Sequence, residues 1–363
     1  MVTETVPQPN RGDEIPSCIT NIIEGLLKPP NPPESQTSDP KLLYHYTNAD
    51  GLKGIIEQGT LHASSTFLLN DTSEIAYGCS VLREVLKESA RAFETDKHLC
   101  ELIGCALSYL GLRTHPNEET EILGDRIRPT HYQVLDGQGD PYALSEPRPT
   151  SEVYVACFCE QDNLLSQWRA YGQAGGYALG FTLTGDGARL RVKSPEYICR
   201  LVKVSYSRDE QKERLGTILE RLRSVVAKQA SDIQGLVGSE WERFTAFLAI
   251  LLQELLLREI AGFKNPAFDS EREWRFIAHL PSMTGLLRGW PRDVVEFKTA
   301  RGMIVPYIKL FPSSTNEKLP IASVRLGPSL DLLRAKTPLE LFFRSYGYGD
   351  AQISGSEIPV LLG

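Results

Sequence analysis

The chain reads as an α+β protein, and three observations predict that class. Short apolar runs with strand-like alternation recur from residue 42 to residue 326, helical periodicity is grouped between them, and one long stretch from 208 to 262 is helical throughout. With 363 residues, 41% of them hydrophobic and 23% charged, the chain has enough apolar material for a sizeable core. We expect a single α+β domain over 41–363, preceded by a flexible arm at 1–40 that is rich in Pro, Asn, Ser and Asp.

The opening run Leu42-Leu43-Tyr44-His45-Tyr46-Thr47 predicts a strand with one imidazole at its centre. Asn48 or Asp50 can cap the helix that follows, Leu52, Ile55 and Ile56 form its apolar face, and Gly59 suits its stop. Residues 60–66 then alternate as a half-buried strand. Asp71 or Ser73 can cap a helix beginning near Glu74, and a further helix is expected over about 96–112. Residues 113–150 read as an irregular insertion rich in Pro, Gly and charge.

Val153 to Cys159 is continuously apolar, as a central strand buried on both faces would be. A polar turn and short helix around Trp168 come next, followed by strands over 177–183 and 197–206. The 208–262 stretch carries two Leu-rich helical faces and reads as an inserted hairpin. Strands are expected again at 271–279, 294–297, 302–305 and 321–326.

Composition excludes several function classes. The 39 basic and 46 acidic residues leave a net charge of −7, which disfavours a broad nucleic-acid surface. Only a local groove drawing on Arg169, Arg189, Arg191, Lys193, Arg200 and Lys203 would revive that class. No run approaches the roughly 18 apolar residues of a membrane span, and no secretory signal is visible, so a cytoplasmic location is expected. Seven irregularly spaced cysteines argue for free thiols, and no His or Cys pattern has metal spacing, so no metal is expected. Phosphate loops and dinucleotide fingerprints are absent.

The most informative polar cluster is Glu271-Arg272-Glu273-Trp274-Arg275. Read as strand, it puts Glu271, Glu273 and Arg275 on one face. Two carboxylates side by side need a cation between them: Arg275, Arg272 reaching around an edge, or a substrate. The cluster therefore reads as a structural ion network or as a site that stabilises an oxocarbenium-like sugar cation. Taken alone, His45 reads first as a packed core histidine and otherwise as a ligand-holding one. Trp168 and Tyr171, three apart on a helix, share a face that can wall a ring pocket or pack on the sheet.

In order along the chain, Leu43-Tyr44-His45-Tyr46-Thr47, Gly59, Ala63-Ser64-Ser65, Asn70-Asp71, Cys157-Phe158-Cys159-Glu160, Trp168-Arg169-Ala170-Tyr171-Gly172, Glu271-Arg272-Glu273-Trp274-Arg275 and Val324-Arg325-Leu326-Gly327-Pro328 resemble a bacterial family called domain of unknown function 2971. Against that family the 113–150 insertion and the 208–262 hairpin are long. The opening strand is also similar to that of ADP-ribosyltransferase-like toxins. That second resemblance implies a split mixed or antiparallel sheet, with NAD as substrate in a cleft between half-sheets. It implies that His45, Tyr46, Thr47, Ser64, Trp168 and Tyr171 bind NAD, that Glu273 is the catalytic carboxylate and that Glu271 assists. The implied activity is cleavage of the nicotinamide–ribose bond, as in an intracellular toxin or antiviral effector acting on an acceptor macromolecule. The alternatives are an NAD glycohydrolase and a non-catalytic binding module of the same fold.

Overall fold

A computed structural model of the chain describes residues 41–66, 73–92, 152–172, 175–183, 189–229, 233, 235, 238–280, 294–300, 302–314 and 317–359. The expected N-terminal arm, the 96–112 helix, the irregular insertion and the Asp71 cap lie outside these residues.

The first strand, β1 (Lys41–Asn48), runs into α1 (Ala49–Gln58), which returns to β2 (Leu61–Ser65). The joints are local chemistry. Asn48 Oδ1 accepts from the amide of Gly51 at 2.9 Å, capping the helix. Gly59 ends it in the left-handed region at φ 62°, where a Cβ would be strained. Asn48→Ala is expected to cost about 1 kcal/mol of stability, and Asn48→Asp to retain most of it, by urea unfolding.

The chain continues through α2 (Ser73–Ala92), β3 (Glu152–Cys159), a helical turn at Leu165–Gln167 that widens into a π-turn at Trp168–Gly172, β4 (Gly176–Leu183), β5 (Leu190–Val192) and β6 (Ile198–Lys203). Two long helices, α3 (Arg208–Lys228) and α4 (Ser239–Ile260), precede a 3₁₀ turn at Pro266–Glu271. The remainder is β7 (Glu273–Leu280), β8 (Val295–Ala300), β9 (Met303–Pro312), β10 (Ile321–Leu326), α5 (Leu332–Ser345) and β11 (Gln352–Gly355). The α+β class is as expected. Strand β5, helix α5 and strand β11 were not anticipated from periodicity.

The eleven strands of the described residues form one mixed sheet, antiparallel throughout except for the β10–β11 pair. Its centre is β3. One edge of β3 pairs along its whole length with β7, from Glu152↔Leu280 to Cys159↔Glu273. The other edge is shared: β1 meets it at Tyr44↔Cys159, and β2 meets it at Ser64↔Val155 and Ser65↔Tyr154. The sheet therefore branches at β3, with β1, β4, β10 and β11 on one limb and β2, β9, β5 and β8 on the other.

Helices cover both faces. Leu52, Ile55 and Ile56 of α1 and Leu339 and Phe343 of α5 pack with Leu43, Phe158, Phe181 and Phe276 on one face. On the other, Ala261, just past α4, packs on Val153, Val155, Val202 and Ile277. The hairpin α3–α4 is not an isolated excursion, because its Leu215, Leu219, Leu248, Leu252 and Leu256 form a core with Val81, Leu82, Val85 and Leu86 of α2. Those leucines and valines, apolar at helical spacing on three helices, can be buried only against one another.

Candidate functional site

Lys264 organises the chemistry. Its backbone is pinned where the chain leaves α4: the Lys264 amide donates to the Ser205 carbonyl at 3.1 Å, and the buried Gln211 Nε2 donates to the carbonyls of Ser205 and Lys264 at 2.6 and 3.0 Å. Its Nζ then meets three carboxylates, Glu271 at 2.5 Å, Glu273 at 2.9 Å and Glu74 at 3.2 Å. Arg275, 1% exposed, completes the set. Its Nε donates to Glu273 at 2.7 Å, its Nη2 to Glu74 at 2.5 Å and its Nη1 to the Ala261 carbonyl at 2.9 Å.

Glu271 does not share a strand face with Glu273, contrary to the alternation expected from sequence. It ends the 3₁₀ turn that Asn265 caps, and Arg272 follows at φ 42°, the one non-glycine residue with positive φ among the described residues. That left-handed residue turns the chain before β7 begins, so Lys264, and not strand pleating, brings the two carboxylates together. Lys264 and Glu74 were absent from the residues expected at the site. The signal for Glu74 is its charge in the first turn of a helix, three residues after Asp71.

Burial alone would raise the Glu273 carboxyl, but Arg275 and Lys264 outweigh it and hold it down at about 2. Burial likewise opposes the charge of Lys264, and Glu273 and Glu74 more than compensate, pushing its pKa up. Glu259 behaves as Glu273 does, held at about 2 against burial by Arg200 and Arg214. For a carboxyl depressed below its ordinary 4.5, the unfolded chain takes up protons first as pH falls. The stabilisation from Glu273 and Glu259 is thus complete above pH 4.5 and is lost between 4.5 and about 2. The urea midpoint is expected to fall steeply across that window. An earlier loss beginning at 6.5 is expected from His62, which burial, Lys298 and Lys309 lower to about 4, and from His279, which burial and two arginines lower to about 3.

Register decides how the other expected residues are placed. Directly paired residues of antiparallel strands share a face, so Tyr44, Cys159 and Glu273 lie on the α4 side, with Cys157 and Arg275. Ser64, opposite Val155, is on that side as well, and its hydroxyl accepts from Lys298 Nζ at 2.9 Å. His45 and Thr47 alternate to the opposite side of β1. The half-buried His45 ring nonetheless turns into the branch between β1 and β2, and its Nδ1 donates to the Cys157 carbonyl at 2.9 Å. This bond substitutes for a ladder bond at the point midway between Cys159, which β1 covers, and Val155, which β2 covers. Because a carbonyl only accepts, Nδ1 carries the proton. Burial, with Lys298, lowers the ring pKa, so Nε2 is an unprotonated acceptor at neutral pH.

Cys157 thereby touches both candidates. Its carbonyl holds His45, and its half-buried thiol lies beside the Glu273 carboxylate; burial first, and that carboxylate second, push the thiol pKa up.

The aromatic residues depart from expectation. Trp168 and Tyr46 are buried against each other at 4.7 Å, edge to face, and each is tied by hydrogen bonds. Tyr46 Oη donates to the Gln161 carbonyl and accepts from the Leu164 amide, both at 2.9 Å, and Trp168 Nε1 donates to Asn163 at 3.0 Å. Tyr171 is exposed on the far side of the π-turn, so Trp168 and Tyr171 do not wall one pocket. The π-turn adds a residue per turn and breaks the three-residue spacing that the expectation relied on.

A cleft of about 460 Å³, lined by Gln58, Thr60, Lys193, Val294, Glu296, Lys309 and Phe311, lies at the β2–β9–β8 limb, and none of its lining residues belongs to the charge network. Among the described residues, no group of three or more His, Cys, Asp or Glu side chains is arranged to hold a metal, and no helix is long and apolar enough to cross a membrane.

No curated protein and no solved structure matches the chain. Residues 167–276 match the model of a family described as "Protein of unknown function (DUF2971)". The matched segment, under a third of the chain, spans α3, α4, Lys264, Glu271, Glu273 and Arg275, while His45, Tyr46, Thr47 and Ser64 fall outside it. The similarity to that family thus centres on the segment that carries four of the five charges of the buried network.

Proposed function

We propose that the protein is an ADP-ribosyltransferase-like enzyme that consumes NAD by cleaving the bond between nicotinamide and ribose. The observation that carries this reading is the convergence of His45 and Glu273 on Cys157, at the point where the sheet divides into two limbs. The charges support the chemistry. Glu74, Glu271 and Glu273 against Lys264 and Arg275 leave one negative charge in excess, and Glu271, with 15% of its side chain exposed against 5% for Glu273, is the outermost carboxylate.

In the reaction, the C1′–N bond breaks and its electron pair leaves with nicotinamide, so positive charge grows on the ribose. An ionised carboxylate held beside C1′ stabilises that charge more in the transition state than in the ground state. The acceptor oxygen then adds to C1′ and yields its proton to a carboxylate. With a macromolecular acceptor, the activity suits an intracellular toxin or antiviral effector; with water as acceptor, the enzyme is an NAD glycohydrolase.

In this reading the roles are redistributed. Glu273, with Lys264 and Arg275 on its two oxygens, is a positioning residue, and Glu271 is the carboxylate that meets the sugar. His45 offers Nε2 to a ribose hydroxyl.

A second reading, a non-catalytic module of the same fold, is favoured by the occupied oxygens of Glu273 and the closed Tyr46–Trp168 pair. Incubation with NAD separates the two. Free nicotinamide that accumulates with wild type and falls in Glu271→Gln supports the enzyme; absence of NAD binding by calorimetry eliminates it.

A further inference from the structure

A second set of buried charges lies at the opposite end of β7 from Glu273. His279 is 1% exposed, paired with Val153 of β3 on one side and Ile198 of β6 on the other, and neither of its ring nitrogens has a hydrogen-bond partner. Burial, then Arg258 and Arg200, lower its pKa to about 3, so the ring is neutral and carries one N–H. Arg200, opposite Ile277, sits on the same face of the sheet, and Arg258 approaches from the last turn of α4.

The two arginines are held close together. Arg200 Nη1 donates to Glu259 at 3.0 Å and its Nη2 to the Arg258 carbonyl at 2.5 Å. The Nε of Arg200 and the Nε of Arg258 are both buried without a partner. Burial and the nearby Arg200 lower Arg258 to about 10. Glu259 is shared between Arg200 and Arg214, and Arg214 also meets Glu210, so Arg200, Arg214, Arg221 and Arg258 against Glu210, Glu254 and Glu259 leave one positive charge in excess.

Buried donors without partners are rare in native interiors, and those on charged groups are the most destabilising. Water can accept from these donors but leaves the charges of Arg200 and Arg258, close enough to act on each other, uncancelled. An anion satisfies the donors and cancels the charge. We propose that Arg200, Arg258 and His279 form a binding site for a small oxyanion of the phosphate class, reached from solvent past Arg200, whose side chain is 26% exposed. Both Nε–H groups and the imidazole N–H would donate to it. The site is separate from the Lys264 network and does not rest on the NAD reading.

The test is titration of the full chain with inorganic phosphate, and separately with AMP, at ionic strength held constant with sodium chloride. Saturable heat and a melting temperature that rises and levels off are expected. Phosphate binding at least as tightly as AMP identifies a free anion; AMP binding more tightly identifies the phosphate of a nucleotide. Arg258→Gln is expected to weaken binding by about tenfold or more, as loss of one charge-assisted bond does. Because that position is largely buried, Arg200→Gln is the second variant, with the same expectation. Binding that is unchanged in Arg200→Gln overturns the proposal, as does the absence of saturable binding by either probe.

Discussion

Replacing Arg275 with methionine is expected to cost about 3–5 kcal/mol of stability, the range for removing one partner of a buried ion network. Arg275 is 1% exposed and its guanidinium serves Glu273, Glu74 and a backbone carbonyl. Methionine fills a similar volume, so packing is largely kept and the loss is electrostatic. Without Arg275, three carboxylates would share Lys264 alone, in a place where burial already disfavours the charge of Glu273. Against a typical total stability of about 5–15 kcal/mol, such a loss leaves a marginal fold. Urea unfolding at pH 7 measures it. At pH 3 the difference between wild type and Arg275→Met should shrink, since protonation removes charges that the arginine balances. A difference below about 1 kcal/mol at pH 7 would mean that the network is not stabilising.

Glu271→Gln is expected to separate activity from stability. Among the described residues its carboxylate joins the network through Lys264, and it sits on an irregular turn outside the strand ladder. The substitution keeps the shape, removes the excess negative charge and leaves Glu273 and Glu74 paired with Lys264 and Arg275. If Glu271 stabilises the ribosyl cation, nicotinamide release should fall by about 10²–10³-fold, comparable to losing one preorganised electrostatic group, with a melting temperature within a few degrees of wild type. Glu273→Gln should lose activity and stability together, because it strips Arg275 and Lys264 of a buried partner. Full nicotinamide release by Glu271→Gln would return the catalytic role to Glu273 or remove it from the network.

The network and the oxyanion site share one device. In both, cations and carboxylates from separate elements are forced together by the packing of α4 on the sheet, and Ala261 lies at that contact. In the first the carboxylates are in excess; in the second the arginines are. An α4 rich in leucine is therefore also the element that sets the electrostatics on this side of the sheet.

What the sequence determined by itself was local. The β1–α1–β2 unit followed from alternation, the Asn48 cap and Gly59, because those signals depend on neighbours a few positions away. The two long helices and the buried strand β3 followed from periodicity and from length. Helix α5 escaped because Pro338 interrupts its pattern and Leu333 and Leu341 face solvent, which blurs its apolar stripe. Charge content at 271–275 marks a segment of the buried ion network, but strand alternation does not give its geometry. Whether Arg272 would adopt a left-handed backbone, and so lift Glu271 off the strand, depends on Lys264 and on the 3₁₀ turn before it.

Only the tertiary structure decided the rest. The branch of the sheet at β3 arises from two strands competing for one edge, a contest that no sequence window contains. It allows His45, placed by alternation on the face opposite Glu273, to reach the same residue, Cys157. Glu74 and Arg275, 201 positions apart, meet through packing as well: α2 is held against α3 and α4, which brings Glu74 to Arg275 of β7, and charges so buried must find partners.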